Sequence, residues 1–341
     1  KTRVSRLKAY QSKLAGLTFL DPACGSGNFL TESYISLRRL ENDALRCQTN
    51  QITMGDYSNP IQVAIHQFYG IEINDFAATV AKTALWIAES QMLKETEDII
   101  AHQIDFLPLK SYANITEGNA LRLNWEEVVP KTKLNYIMGN PPFVGARLMD
   151  ASQKSDVNLI FEGWKNAGNL DYVCCWYKKA ADLMQGTEIR SALVSTNSVS
   201  QGESVANLWK PLFETGVHID YAYRTFRWDS EAKIKAHVHC VIIGFSIASN
   251  HNEKTLYSGD RAQSVQNING YLLDADDVFV ESRKKPISNV PDIGIGNMPL
   301  DGGNYLFTEE EKALFITIEP AAEKWFRPWI GSHAVSYTHL R

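Results

Sequence analysis

Short apolar runs alternate with longer amphipathic stretches over the first two thirds of the chain, the pattern of strands joined by crossover helices. Leu17, Thr18, Phe19 and Leu20 read as a buried strand that stops at Asp21 and Pro22. A glycine-containing turn then leads into a helix predicted over residues 29–39. A second strand is predicted over residues 68–72, and a helix from residue 75 to about residue 94. In that helix Phe76, Val80, Ala84, Ile87 and Ala88 recur on one face, and Asn74 or Asp75 can cap its start. Further strands are predicted at residues 134–138, 192–195, 219–223 and 238–243. A helix over residues 171–185 separates the first two of these, with Asp171 as cap and Gly186 as stop. The expected architecture is α/β: a doubly wound, mostly parallel sheet with functional loops at the carboxyl ends of its strands.

Near Ser249 the texture changes. Residues 250–303 are rich in Asn, Asp, Gly and Pro, with short apolar pieces such as Tyr271, Leu272 and Leu273. The expected division is a short leader at residues 1–16, a main domain at 17–249 and a smaller, mixed unit at 250–341. With 341 residues there is ample length for a buried core, and 11% aromatic with 21% charged residues excludes a disordered chain. No apolar run approaches the roughly 20 residues of a membrane-spanning helix, so no membrane partner is expected. A net charge of −5 gives no global attraction to nucleic acid but leaves room for a locally basic cleft. Cys24, Cys47, Cys174, Cys175 and Cys240 include no C-x-x-C pair, which argues against a disulfide framework and structural zinc and points to a reducing cytoplasm. Opening on Lys1 rather than Met, the sequence reads as a fragment or a processed product.

Asp21, Pro22, Ala23, Cys24, Gly25, Ser26, Gly27 and Asn28 join the first strand to its helix. Glycines there let backbone amides approach a ligand closely, and the amino end of a helix adds partial positive charge. A tight strand-to-helix turn would by itself account for one Gly-x-Gly. The third glycine of a dinucleotide loop would fall at Leu30, which counts against a dehydrogenase. An acid at the tip of the next strand suits ribose hydroxyls, and Glu72 stands there. It lies farther along than the ~20 residues of the compact unit, so an insertion between residues 29 and 67 is expected. Loop and acid together favour an adenosine-containing ligand.

Asn140, Pro141, Pro142 and Phe143 form the most informative tetrapeptide. Such a sequence can be a plain turn. At the ligand-binding edge of a sheet, however, it offers two acceptors for the N–H groups of a planar amine: the Asn140 side-chain oxygen and the Pro141 carbonyl. Accepting both bonds pulls electron density back onto a nitrogen whose lone pair is otherwise delocalised into the ring. Proline rigidity fixes the carbonyl direction, and Phe143 can stack on the base for about 1–3 kcal/mol. The benefit depends on preorganised acceptors.

Residues 21–30 together with residues 140–143 resemble the amino-methylating DNA methyltransferases that use S-adenosylmethionine, which have the Rossmann-like class I fold. The first segment is similar to their cofactor motif and the second to their catalytic N-P-P-[FY] motif. Within that group Glu117, Gly118, Asn119, Ala120 and Leu121 resemble the segment whose polar residue contacts the cofactor adenine. Asn-Pro-Pro rather than Ser-Pro-Pro tilts the target toward the N6 amine of adenine. Motif order is similar to the gamma arrangement. Residues 139–147, 226–245 and 299–303 look like the single-chain MmeI-like (Type IIL) restriction–modification enzymes.

The resemblance implies that residues 21–28, Glu72, Ile73, Asn119 and Ala120 hold the cofactor and that residues 140–143 are catalytic. It implies double-stranded DNA as partner, and a partial target-recognition domain after residue 249. Residues 1–16 would be the remnant of an upstream helical segment. The family's amino-terminal nuclease would lie, if anywhere, elsewhere in the full-length chain.

Several residues carry two readings. His237 and His239 alternate along a predicted strand and suit its polar face better than a metal, so no metal site is expected. Trp228 can hold an extruded base or sit in a surface loop. Lys1, Arg3, Arg6 and Lys8, or Arg283, Lys284 and Lys285, can touch DNA phosphates or simply face water. Alternative functions are methyl transfer to RNA or to a protein glutamine, and a truncated, non-catalytic DNA-binding module.

Overall fold

The computed structural model describes residues 2–48, 60–100, 104, 113–229, 237–247, 253–283, 285, 287–290 and 302–328. Its strands are β1 (Phe19–Asp21), β2 (Phe68–Glu72), β3 (Asn114–Glu117), β4 (Tyr136–Gly139), β5 (Arg190–Thr196), β6 (His218–Asp229), β7 (His237–Ser246), β8 (Lys254–Ser258) and β9 (Arg261–Val265). They form one sheet in the order β3-β2-β1-β4-β5-β7-β6-β8-β9. The first five strands in that order are parallel. Strand β7 runs antiparallel between β5 and β6, β8 joins β6 in parallel, and β9 closes an antiparallel hairpin with β8. The chain reverses direction about β1, whose neighbours are β2 on one side and β4 on the other. That arrangement opens a crevice beyond the carboxyl ends of β1, β2 and β4.

Both faces of the sheet's parallel half are covered. On one face pack α1 (Arg3–Ala15), α2 (Asn28–Arg46) and α3 (Asp75–Ile100). Their Leu14, Leu30, Tyr34, Leu37, Ala81, Leu85 and Met92 bury against Phe68. On the other face the short helix α4 (Trp125–Val128), α5 (Ala151–Ile160), α6 (Cys174–Met184) and residues 202–214 pack against Leu20, Ile71 and Ile137. The period-two alternation of a strand is what sends Phe19 and Leu20 to opposite clusters.

Helices α2 and α3 run past the predicted ends at residues 39 and 94 because they share a buried polar seam. The Arg38 guanidinium bonds the Glu41 carboxylate, and Arg38 Nη2 donates to Thr96 Oγ1 at 2.7 Å. Asp171 does not cap α6, which begins at Cys174 with Val173 in the cap position. Of the elements absent from the sequence pattern, β3, α4, α5, β8 and β9 each bury only one or two side chains, whereas the helical stretch at residues 202–214 buries Val205, Ala206, Leu208, Trp209 and Leu212.

By internal contact the chain divides into Lys1–Ser282 and Arg283–Arg341. In the second unit the helix Glu309–Ile318 opens on a capping box between Thr308 and Glu311, and Phe307, Phe315 and Phe326 pack edge to face. The expected boundary at residues 249–250, Lys284, residues 299–301 and the tail after Ser332 lie outside the described residues.

Candidate active site

A cavity of about 370 Å³ opens where the crevice is expected. Pro22 and Ala23 follow β1, Ile71, Glu72 and Ile73 end β2, Gly118, Asn119 and Ala120 follow β3, and Asn140 and Pro142 follow β4. Helices α5 and α6 complete the wall with Asp156 and Trp176.

The first loop is built by its own hydrogen bonds. Asp21 Oδ1 accepts from the Ala23 N–H at 3.0 Å, and the Cys24 N–H reaches across to the Ile71 carbonyl at 3.1 Å. Gly25 (φ +53°) and Gly27 (φ +84°) turn the chain into α2. A Cβ at Gly27 would lie 2.9 Å from the Ala81 Cβ of α3, so only glycine fits. Glu72 holds the loop from the neighbouring strand: one oxygen accepts from the Gly25 N–H at 2.8 Å and the other from the Asn74 N–H at 2.9 Å. Burial pushes the Asp21 carboxyl up to about 7, with the Ala23 amide opposing and the Glu72 charge adding to the rise.

The Asn119 side chain is held at both ends. Its oxygen accepts from the Leu121 N–H at 2.9 Å and its Nδ2 donates to Asp156 at 3.0 Å. Asp156 also receives the Tyr172 hydroxyl at 2.8 Å and Arg122 Nε at 2.7 Å. Burial raises its pKa, but the bonds from Asn119, Tyr172 and Arg122 outweigh that and keep it below the usual carboxylate range. Beneath this turn Lys179 Nζ donates to the Ala120 carbonyl at 2.7 Å and to the Leu123 carbonyl, and burial draws it down to about 8. Trp176 Nε1 fixes the first loop by donating to the Pro22 carbonyl at 3.1 Å.

At the end of β4 the Asn140 side-chain oxygen is buried and has no hydrogen-bond partner among the described residues. Asp21 Oδ2 is in the same condition. Pro141 is buried, Pro142 exposed, and Phe143 packs half-buried against the larger core.

The structure thus gathers Pro22, Ala23, Glu72, Ile73, Asn119, Ala120, Asn140 and Pro142 around one cavity. Asp21, Cys24, Gly25, Ser26, Gly27 and Asn28 shape the loop without lining that cavity. Burial raises the Cys24 thiol, which suits packing rather than nucleophilic attack. Trp228 lies 43% exposed near the end of β6, its ring 6.4 Å from that of Phe226. Arg283 and Lys285 are exposed, and His239 is exposed on β7, whereas the His237 side chain lies outside the described residues. Among the described residues no group of His, Cys, Asp and Glu side chains is arranged to hold a metal ion, and no helix is long and apolar enough to cross a membrane.

The family model of the MmeI DNA-methyltransferase domain matches residues 1–258, and that of the MmeI target recognition domain matches residues 274–341. The chain belongs to the MmeI family of DNA methyltransferases. It is 40% identical over 331 residues to DNA methyltransferase A of Bacillus subtilis (strain 168), covering 96% of this chain and 37% of that protein. Among solved structures it is similar to the Type IIL restriction–modification enzyme MmeI in complex with DNA, with a TM-score of 0.87 and 44% identity. That match covers 96% of this chain and 45% of the MmeI chain. The chain therefore spans less than half the length of either relative. Its α/β architecture is the MmeI fold.

The residues that the sequence does not announce are Asp156 on α5, Tyr172 in the turn before α6 and Trp176 on α6. A signal for α5 was present, since Asp150 and Gln153 form a capping box. Nothing local marks Asp156 or Tyr172, whose roles exist only through packing.

Proposed function

We propose that this chain carries the methyltransferase part, with the start of the target-recognition part, of a restriction–modification enzyme that methylates the N6 amine of an adenine in double-stranded DNA. The observation that carries the reading is the buried, unpartnered Asn140 oxygen at the edge of the cavity. An orphaned buried acceptor costs about 1–3 kcal/mol, a cost removed when a donor enters. The amine of an extruded adenine is such a donor, and extrusion itself costs a few kcal/mol.

The cavity's chemistry fits S-adenosylmethionine. Nucleotide phosphates are usually held by free loop amides, but here the Gly25 amide already carries the Glu72 carboxylate, with Asp21 buried behind it. Such a loop repels an anion and suits a ligand with a cationic tail. Glu72, Ile73, Asn119 and Ala120 would hold the adenosine, and residues 21–28 the amino-acid end. When bound, the cofactor would supply a methyl group to the amine nitrogen, with the carbon–sulfur electron pair staying on sulfur and the amine proton passing to solvent. Asn140 and the Pro141 carbonyl accept the two amine hydrogens and aim the lone pair, while Phe143 backs the base. Trp228 is assigned to the extruded base, and Arg283, Lys284 and Lys285 to DNA phosphates. A reducing cytoplasm suits the unpaired cysteines.

Asn140→Ala is expected to lower methylation of DNA at least about 100-fold. Affinity for S-adenosylmethionine should stay within a few-fold, by calorimetric titration. Labelled cofactor offered with DNA, RNA and protein in parallel checks the acceptor; transfer to RNA or protein alone would overturn the DNA reading.

A further inference from the structure

Asp171 and Tyr172 belong to neither motif, yet their polar groups bond three different parts of the site. Asp171 Oδ1 accepts from the Ala146 N–H at 2.9 Å, three residues after Phe143. Asp171 Oδ2 accepts from the Ser198 hydroxyl at 2.6 Å, and Ser198 Oγ in turn lies 2.7 Å from Thr196 Oγ1 at the end of β5. The Tyr172 N–H donates to the Val144 carbonyl at 2.9 Å, and the Tyr172 hydroxyl reaches Asp156 beneath Asn119.

These bonds have no role in starting α6, which begins beyond them. Strands β4 and β5 are parallel neighbours whose ladder ends at Gly139 opposite Leu193. Past that point β5 continues to Thr196 paired with β7, while β4 gives way to the Asn140 loop, so the two share no further ladder. A carboxylate accepting from both supplies the missing link, and charge-assisted bonds are roughly twice as strong as neutral ones.

We propose that Asp171 is a positioning residue: it ties the loop following Asn140–Phe143 to the loop following β5, so the turn that presents Asn140 keeps one geometry. The inference rests on the adenine-amine reading of the site. A displacement of about 1 Å at reacting groups can cost about 100-fold in rate, which sets the expected effect.

The test uses the full chain with Asp171→Ala, Asp171→Asn and Ser198→Ala. Three quantities are measured: single-turnover methylation of DNA, S-adenosylmethionine affinity, and hydrogen exchange of residues 143–147. Asp171→Ala should lose about 100-fold in rate with cofactor affinity within about threefold, and should exchange faster at Ala146. Asp171→Asn can still accept from Ala146 and donate to Ser198, so its rate should recover to within about tenfold of the parent.

Equal rates for Asp171→Ala and the parent, or no rescue by Asp171→Asn, would overturn the proposal. If Asp171→Ala does not fold, Ser198→Ala decides: an unchanged rate and unchanged exchange overturn it, and a several-fold slower rate supports it. Failure of the parent chain to methylate any adenine would instead overturn the reading of the site. Exchange at Ala146 then decides the tie alone, supported if Asp171→Ala releases that amide and overturned if it does not.

Discussion

Asp21 sits where two motifs meet. A Cβ added to Gly139 would lie 2.5 Å from Asp21 Oδ1, so the residue before Asn140 must be glycine for the carboxyl to fit. Gly139→Ala is expected to cost about 1–3 kcal/mol by overpacking and to displace Asn140. A lower denaturation midpoint together with lost methylation would show it. The Asp21 pKa adds a pH signature. Its folded value, about 7, exceeds the ordinary 3.8, so the folded state prefers the protonated form. The associated stability is complete below about pH 4 and is lost as pH rises toward 7, an upper bound of about 4 kcal/mol. Denaturation from pH 4.5 to 8 should therefore show the parent losing stability relative to Asp21→Asn as pH rises. A constant difference would exclude the effect. At this scale the sequence was informative wherever the candidate residues sit in one loop or strand tip: Asn140, Glu72 and the Gly25–Gly27 turn, which the structure brings to one crevice, announce themselves by residue type and spacing. Asp156, Tyr172 and Lys179 do not, because an acid and a lysine on helices and a tyrosine in a turn have no local mark of what they will face.

Among elements, the seam between α2 and α3 is the most demanding. Arg38 and Glu41 are fully buried, and Glu41 also accepts from the Gln62 N–H at 2.7 Å, anchoring the segment that returns to β2. Arg38→Met should cost about 3–5 kcal/mol because it strands a buried carboxylate. The double variant Arg38→Met, Glu41→Leu should cost clearly less than the two single losses combined, read by a denaturant-melt cycle. Strands β2, β4 and β5 were legible because continuous apolar runs are what a strand covered on both faces needs. Strand β3 and the β8–β9 hairpin sit at or near the sheet margins, where one buried residue suffices and periodicity is too faint to read. The length of α2 depended on the Arg38 seam, a tertiary feature invisible to helical spacing.

For the molecule as a whole, every residue lining the cavity lies within the unit Lys1–Ser282. A chain ending at Ser282 is expected to unfold cooperatively and to bind S-adenosylmethionine as the full chain does, while its affinity for DNA falls. Calorimetric titration with each ligand checks both halves. Equal DNA affinity would remove residues 283–341 from recognition. The Glu72 carboxylate is seated on the Gly25 amide. Cells are crowded with adenine-bearing energy carriers and redox coenzymes, most of them polyanions. If this loop holds the methyl donor as proposed, a turn plugged by its own acid would screen such competitors out by the sign of the tail before the purine is tested.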